Sequence, residues 1–445
     1  MTDVTSASRE ELIALILAQQ GQIETLQASI VQLQERIREL EARLGKGRPQ
    51  GMPGNKPASV KGPERKTTRK PRPHGFARVR MTPTERVEHA VESCPECGTR
   101  LGGGWVQRTR EVIELPIMPV KVTEHVFIAR LCPTCRKRRV PQVELGGVVM
   151  GKQRLGVGLV SLIVTLREEG RLPFATIQWY LSTLYQLHLS LGGIVGVIYQ
   201  VAGKAQKAVE AVRDRIRASP VVHADETGWR EDGVNGYVWT FSTATERYFV
   251  RGRRDKGMVD RVLGDAFSGV LVSDFYAAYN HYEELKQRCW AHLLRDIHDL
   301  QELYPEDGGV RNWAGAVQEL YQEAKSYSSP KEVERLAAKR EFEQRLMQIC
   351  APYLKNEGAA QQRLCKRIER FLPELFVFVA YPEVPSENNA AERSLRHLVT
   401  SRKISCGTRS DQGTETKMLL SSLFGTWRAQ GINTFLACLQ LLSSP

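Results

Sequence analysis

Pro220-Val-Val-His-Ala-Asp225-Glu-Thr-Gly228 is the stretch on which the reading of this chain turns. Val221 to Ala224 form a short apolar run, the pattern of a buried strand, and Asp225 closes it. Tyr237–Ser242 and Arg247–Val250 alternate like hairpin partners of that strand. Asp255–Leu263 has helical spacing, and Gly269-Val-Leu-Val-Ser273 is a second buried-strand run closed by Asp274.

Three strands, a helix and a fourth strand is the element order of an RNase H-like α/β domain. If the first and fourth strands are neighbours, Asp225 and Asp274 emerge at one sheet edge. From about Glu283 to Phe378 the pattern is mainly helical, so an all-α block interrupts the domain. It resumes at Glu387-Asn-Asn-Ala-Ala-Glu-Arg393, the start of a helix expected over 387–400, and a helical tail follows over 414–443. A carboxylate from that helix would complete an oxygen-only site suited to Mg2+ or Mn2+. Two such ions about 4 Å apart serve phosphoryl transfer without a general-base side chain. Glu387 and Glu392 both fit the third position. Asn388 or Asn389 as the helix cap would put Glu392 in the first turn, where a carboxylate is better held, so Glu392 is preferred.

Composition suits this chemistry. The 445 residues imply several domains, and the net charge of +13 with a pI near 9.3 points to a polyanionic partner. Residues 45–80 hold eleven Lys/Arg against one Glu and almost no large apolar residues. That segment reads as a disordered basic linker able to track DNA phosphates, with Lys66, Arg69, Lys70 and Arg72 as contacts. Nothing in the sequence reads as a membrane span or a signal peptide, so a cytoplasmic protein is expected.

Ahead of the linker, residues 10–44 carry a heptad with Ile16, Ile23, Ile30 and Ile37 at one core position and Leu12, Leu26, Leu33 and Leu40 at the other. Ile at a and Leu at d favours a parallel two-stranded coiled coil, hence a homodimer or a higher oligomer. After the linker come Cys94-Pro-Glu-Cys97 and Cys132-Pro-Thr-Cys135. Two such knuckles point to a structural zinc in a ribbon over 81–150, with strands expected at Arg110–Pro116 and Val120–Ala129. Arg136, Lys137 and Arg138 follow the last ligand and suit a DNA backbone. Residues 151–217 look helical, and Leu172–Leu184 with Ser190 onward has the pattern of a helix-turn-helix; helical hairpins that bind nothing have the same pattern.

The fold class expected is therefore multidomain α+β. It comprises a coiled coil (10–44), basic linker (45–80), zinc segment (81–150), helical DNA-binding region (151–217), RNase H-like catalytic domain in two parts (218–299 and 381–413), helical insertion (300–380) and helical tail (414–445).

The order of coiled coil, basic linker, two knuckles, Asp225-Glu-Thr, Ser273-Asp-Phe-Tyr-Ala-Ala-Tyr279 and Asn388-Asn-Ala-Ala-Glu-Arg393 resembles the transposases of insertion sequence 66-type elements, over nearly the whole chain. The resemblance implies a DDE catalytic trio of Asp225, Asp274 and Glu392. It implies cleavage at terminal inverted repeats, joining of 3′-hydroxyl ends to target DNA, and accessory proteins encoded by the same element. Glu387 stands where that family often has Asp. The resemblance also draws attention to Cys289-Trp-Ala-His292, a pair that could anchor the insertion or bind a metal; a packed Cys and a backbone-bonded His is the plainer reading, with Trp290 in the core. Arg393, Arg396, Arg402 and Lys403 are candidate phosphate contacts. Two rival functions use the same parts: a non-catalytic DNA-binding regulator, and an RNase H-like nuclease or resolvase that cuts without joining.

Overall fold

The computed structural model describes residues 82–113, 120–150 and 153–444, with 20, 21, 27–29 and 35 nearer the N-terminus. The coiled coil lies outside the described residues apart from those few, which are helical and exposed; the basic linker with Lys66, Arg69, Lys70 and Arg72 lies wholly outside them. The chain divides into two compact units, 1–114 and 115–445.

The first unit contains the Cys94 knuckle, a turn in which Gly98 N–H returns to Cys94 O at 2.9 Å. In the second unit Cys132 begins a similar turn, with Arg136 N–H donating to Cys132 O at 2.9 Å. Around it Arg130–Leu131 (β1) pairs antiparallel with Arg138–Arg139 (β2). Among the described residues no strand forms at 110–113 or 120–129, where two were expected, and Val122 is 87% exposed. Alternation makes a strand only where a partner takes its amides and a core takes its apolar face.

Three helices follow, Val157–Glu168 (α1), Phe174–Tyr185 (α2) and Leu191–Arg217 (α3). Ser190 caps α3, its hydroxyl accepting from Gly193 N–H at 3.0 Å. Their apolar faces share one core with the tail helices, through Ile163, Ile177, Val197, Leu420, Phe424 and Leu442.

Val221–Glu231 (β3) runs further than its apolar start suggests. Asp232-Gly233, both at positive φ, form a two-residue turn into Val234–Ser242 (β4), and the ladder extends from Glu231↔Val234 back to His223↔Ser242. Asp225 therefore lies inside a strand, paired with Thr240, rather than ending one: β4 carries the ladder past it. Arg247–Gly252 (β5) pairs antiparallel with β4. Gly257–Leu263 (α4) leads to Val270–Ser273 (β6), which lies parallel to β3. Lys286–Arg288 (β7) lies parallel to β6, giving the order β5-β4-β3-β6-β7.

β7 was not expected, because Lys-Gln-Arg reads as a polar helical segment. Its side chains are buried yet satisfied. The Arg288 guanidinium donates to Glu374 (2.5 Å), Asp274 O (2.7 Å) and Asn280 Oδ1 (2.6 Å), and the Gln287 amide donates to Leu375 O (3.0 Å).

The all-α insertion consists of Trp290–Leu303 (α5), Gly308–Ser326 (α6), Glu332–Leu354 (α7), Gln362–Phe371 (α8) and Val377–Ala380 (α9). Trp290 lies in its core, stacked on Tyr321 at 4.6 Å and donating to Leu375 O. Asn389–Ser405 (α10), Asp411–Ala429 (α11) and Thr434–Ser443 (α12) complete the chain.

The sheet has two covered faces. Val222, Ala224, Trp239 and Leu271 meet α3 and α4, whereas Val238, Trp229 and Phe249 meet α10 and α11. α11 also covers the β5 edge. Ser422 Oγ accepts from Phe249 N–H at 2.8 Å and Thr426 Oγ1 from Arg247 N–H at 3.0 Å, standing in for a neighbouring strand. Gly407, at φ +108, lets the chain leave α10 against β3: a Cβ there would lie 2.0 Å from Arg230 O.

Candidate active site

The parallel register between β3 and β6 ends at His223↔Val272. Two residues further along, on the same face as that pair, come Asp225 and Asp274. That face is the one covered by α10, and Glu392 lies in the first turn of α10. Thus β3, β6 and α10 bring the three carboxylates predicted from sequence within electrostatic reach, Asp274 and Glu392 both acting on Asp225. Burial, followed by the negative charges of Glu226, Asp274 and Glu392, pushes the Asp225 carboxyl up to about 8.

Glu387 is already engaged. Tyr321 OH and Lys325 Nζ donate to its Oε1 at 3.0 and 3.1 Å, and the Asn389 amide donates to Oε2. Glu392 Oε1, in contrast, is buried with no hydrogen-bond partner, and His292 Nε2 lies 3.7 Å from it.

The predicted cap at Asn388 is used differently. Asn388 is the N-cap residue but its side chain makes no capping bond. It is fully buried; Nδ2 donates to Ala224 O at 2.7 Å, and Oδ1 faces His223 Nδ1 at 3.0 Å. With the amide donating to a carbonyl, Oδ1 must accept, so His223 carries its proton on Nδ1. Bonding to β3 removes two buried polar groups from isolation, which a solvent-facing cap bond would not do.

Cys289 and His292 sit at the root of the insertion. Cys289 is buried and its Sγ accepts from Asn388 N–H at 3.1 Å. His292 is not backbone-bonded as the plainer reading expected: its Nδ1 is buried without a partner. Arg402, predicted to contact phosphate, is turned inward instead, its guanidinium donating to Thr227 Oγ1 and Gly228 O. Arg393, Arg396 and Lys403 on α10, and Arg136, Lys137 and Arg138 beside β2, are exposed.

Several residues at the site were missed from sequence. Glu226 follows Asp225 and so points to the opposite face. There Tyr279 OH donates to it at 2.7 Å and Arg254 at 2.8 Å. Its adjacency to Asp225 was the available signal. Arg288, which holds Asp274 O, had none.

The residues suit a hard divalent cation. The donors are all carboxylate oxygens, the charges of Asp274 and Glu392 help to raise Asp225, and Glu392 Oε1 is orphaned. Thr240 Oγ1, cross-strand from Asp225, is also buried without a partner. As it stands, no group of three or more His, Cys, Asp or Glu among the described residues is drawn close enough to hold a metal. Of the knuckle thiols, Cys97 is held below the usual range by the Thr99 hydroxyl and backbone, and Cys132 by the backbone of Cys135 and Thr134.

Comparison with known proteins defines the class. The family model described as Transposase IS66 family matches residues 152–416, and the chain belongs to that family. The match begins just ahead of α1 and ends within α11, so it takes in both parts of the sheet and the insertion. A relative from Sinorhizobium fredii, described as uncharacterized protein y4jO, is 31% identical over 180 residues, 39% of this chain and 51% of its own length. The chain thus spans about half of that relative. Among the described residues no helix is long and apolar enough to cross a membrane.

Proposed function

We propose that this protein is a DDE-type DNA transposase that cleaves at the terminal inverted repeats of its element and joins the 3′-hydroxyl ends to target DNA. The observation that carries the reading is the convergence of Asp225, Asp274 and Glu392 from β3, β6 and α10, with Asp225 raised by burial and like charge. The strand order, three antiparallel strands followed by two parallel ones, supports an RNase H-like catalytic domain.

Asp225, Asp274 and Glu392 would hold two Mg2+ or Mn2+ ions. Bound there, the ions supply a lowered pKa for the attacking oxygen and charge neutralisation at the leaving oxygen. The protein's own part is placement. Arg288 orients the Asp274 backbone through its carbonyl. Cleavage and joining are both in-line displacements at phosphorus, so one carboxylate set serves both. Arg393 and Arg396, exposed on the helix of Glu392, are positioned to meet the DNA backbone.

The remaining parts fit recognition and assembly. Cys94, Cys97, Cys132 and Cys135 would bind a structural Zn2+, a role suited by the two tight turns and lowered thiols. The exposed Arg136, Lys137 and Arg138, the linker residues Lys66, Arg69, Lys70 and Arg72, and α2–α3 would contact double-stranded DNA. The coiled coil would pair subunits so that two element ends are held together. Accessory proteins of the same element are expected partners, in a bacterial cytoplasm at the nucleoid.

The test is cleavage and joining of a labelled terminal-repeat duplex with Mg2+ and a plasmid target. Asp225→Asn, Asp274→Asn and Glu392→Gln lose joined product, and Glu387→Gln keeps it. Cleavage without joining by the wild type would replace the reading with a nuclease. Binding without either reaction, with accessory proteins supplied, would replace it with a regulator.

A further inference from the structure

We propose that Asn388 and Cys289 are a pair of positioning residues that together set the spacing of the three carboxylates; this rests on the metal-dependent reading above. Cys289 N–H donates to Ser273 O at 2.8 Å, and Ser273 precedes Asp274. Cys289 Sγ accepts from Asn388 N–H at 3.1 Å. Asn388 Nδ2 donates to Ala224 O at 2.7 Å, and Ala224 precedes Asp225. Asn388 O accepts from Glu392 N–H at 3.3 Å. Each member of the trio is thus bonded to the pair either through its own amide or through the carbonyl of the residue before it.

Both residues are fully buried, so no water competes for these bonds. The residue types are demanding. The Asn amide donates to Ala224 O and accepts from His223 Nδ1–H through two separate atoms; Asp lacks the donor, and Gln adds a methylene in a closed space. Cys289 is also the N-cap residue of α5, so the bridge stands where the helical insertion leaves the sheet. Trp290 N–H donating to Ser386 O at 3.0 Å reinforces the same junction. The Cys289 position and the Asn388 position are therefore parts of one device, which tethers the root of the insertion and orients the ligands. Groups that orient metal ligands in this way typically tune affinity about 10–100-fold.

The experiment uses the full chain and Mn2+ alone, with free ion followed by electron paramagnetic resonance and melting temperature recorded in parallel. Asn388→Ala and Cys289→Ala should each weaken Mn2+ binding about tenfold or more. The double variant should lose little beyond either single one, because both break one network. Cys289→Ser should regain most of the affinity, since a hydroxyl can accept from Asn388 N–H. Lys417→Ala, in the helical core, should lower the melting temperature and leave Mn2+ affinity in place, separating positioning from general destabilisation. If Asn388→Ala does not fold, the Cys289→Ala and Cys289→Ser comparison decides. Wild-type affinity in Asn388→Ala or Cys289→Ala, with binding lost in Glu392→Gln, would overturn the positioning role and leave the metal reading intact. Binding absent from the wild type, or indifferent to Asp225→Asn and Glu392→Gln, would overturn both.

Discussion

Asp225 and Asp274 stand level across two parallel strands, each two residues beyond the last paired positions, His223 and Val272. Asp225 and Asp274 are half-buried at one edge with Glu392 close by, so without a cation Asp225 is harder to ionise in the fold than in the unfolded chain. Asp225→Asn should therefore raise the melting temperature of the metal-free protein at neutral pH. Relief of about 2 kcal/mol corresponds to roughly 4–8 °C. The same substitution should remove any stabilisation by Mn2+. Scanning calorimetry with and without the ion checks both, and a lowered metal-free melting temperature would contradict the account.

Lys417 on α11 and Glu168 on α1 form a buried ion pair at 2.8 Å, 5% and 1% exposed. Removing one partner strands the other charge. Lys417→Ala should cost about 3–5 kcal/mol, and Glu168→Gln with Lys417→Met should recover most of it. Urea unfolding of the single and double variants measures the difference.

His397 donates from Nε2 to Glu168 O, and burial together with Arg428 and Lys417 drives its pKa down from 6.5 to about 4. The unfolded chain therefore binds the proton more readily than the fold does. Stability from this group is complete above about 6.5 and is lost as pH falls toward about 4. With partial solvent screening the loss should be about 1–2 kcal/mol. His397→Gln should flatten that part of the stability–pH curve; an unchanged slope would rule out the assignment.

Ser422 and Thr426 satisfy the outer amides of β5. Ser422→Ala and the near-isosteric Thr426→Val should each cost about 1–3 kcal/mol, by leaving Phe249 or Arg247 N–H unpaired under α11. Hydrogen exchange at those two amides should quicken correspondingly.

Much of this arrangement was legible in the chain. The apolar runs before Asp225 and Asp274 announce buried strands, and the first-turn position of Glu392 follows from the Asn pair before it. Asp232-Gly233 carries the signal of a two-residue hairpin, although the reading from sequence stopped β3 at Asp225. Such features depend on side-chain period and turn chemistry, which are properties of neighbouring residues. The strands expected at 110–113 and 120–129 show the limit of that rule, since period alone does not supply a partner.

The tertiary structure decided how polar groups were shared. Lys286-Gln-Arg288 became a buried strand because distant acceptors, Glu374, Leu375 O and Asn280, satisfy it. Asn388 gave up a local cap for Ala224 and His223, and Arg402 turned from solvent to β3. Helices α1–α3 joined α11 and α12 in one core although the sheet and the insertion lie between them in sequence. The coiled coil over 10–44 rests on its heptad, and the joining of the two knuckles on one zinc rests on their Cys spacing. Local spacing determines which element a segment can form; desolvation, a property of the assembled fold, determines which buried donor meets which acceptor.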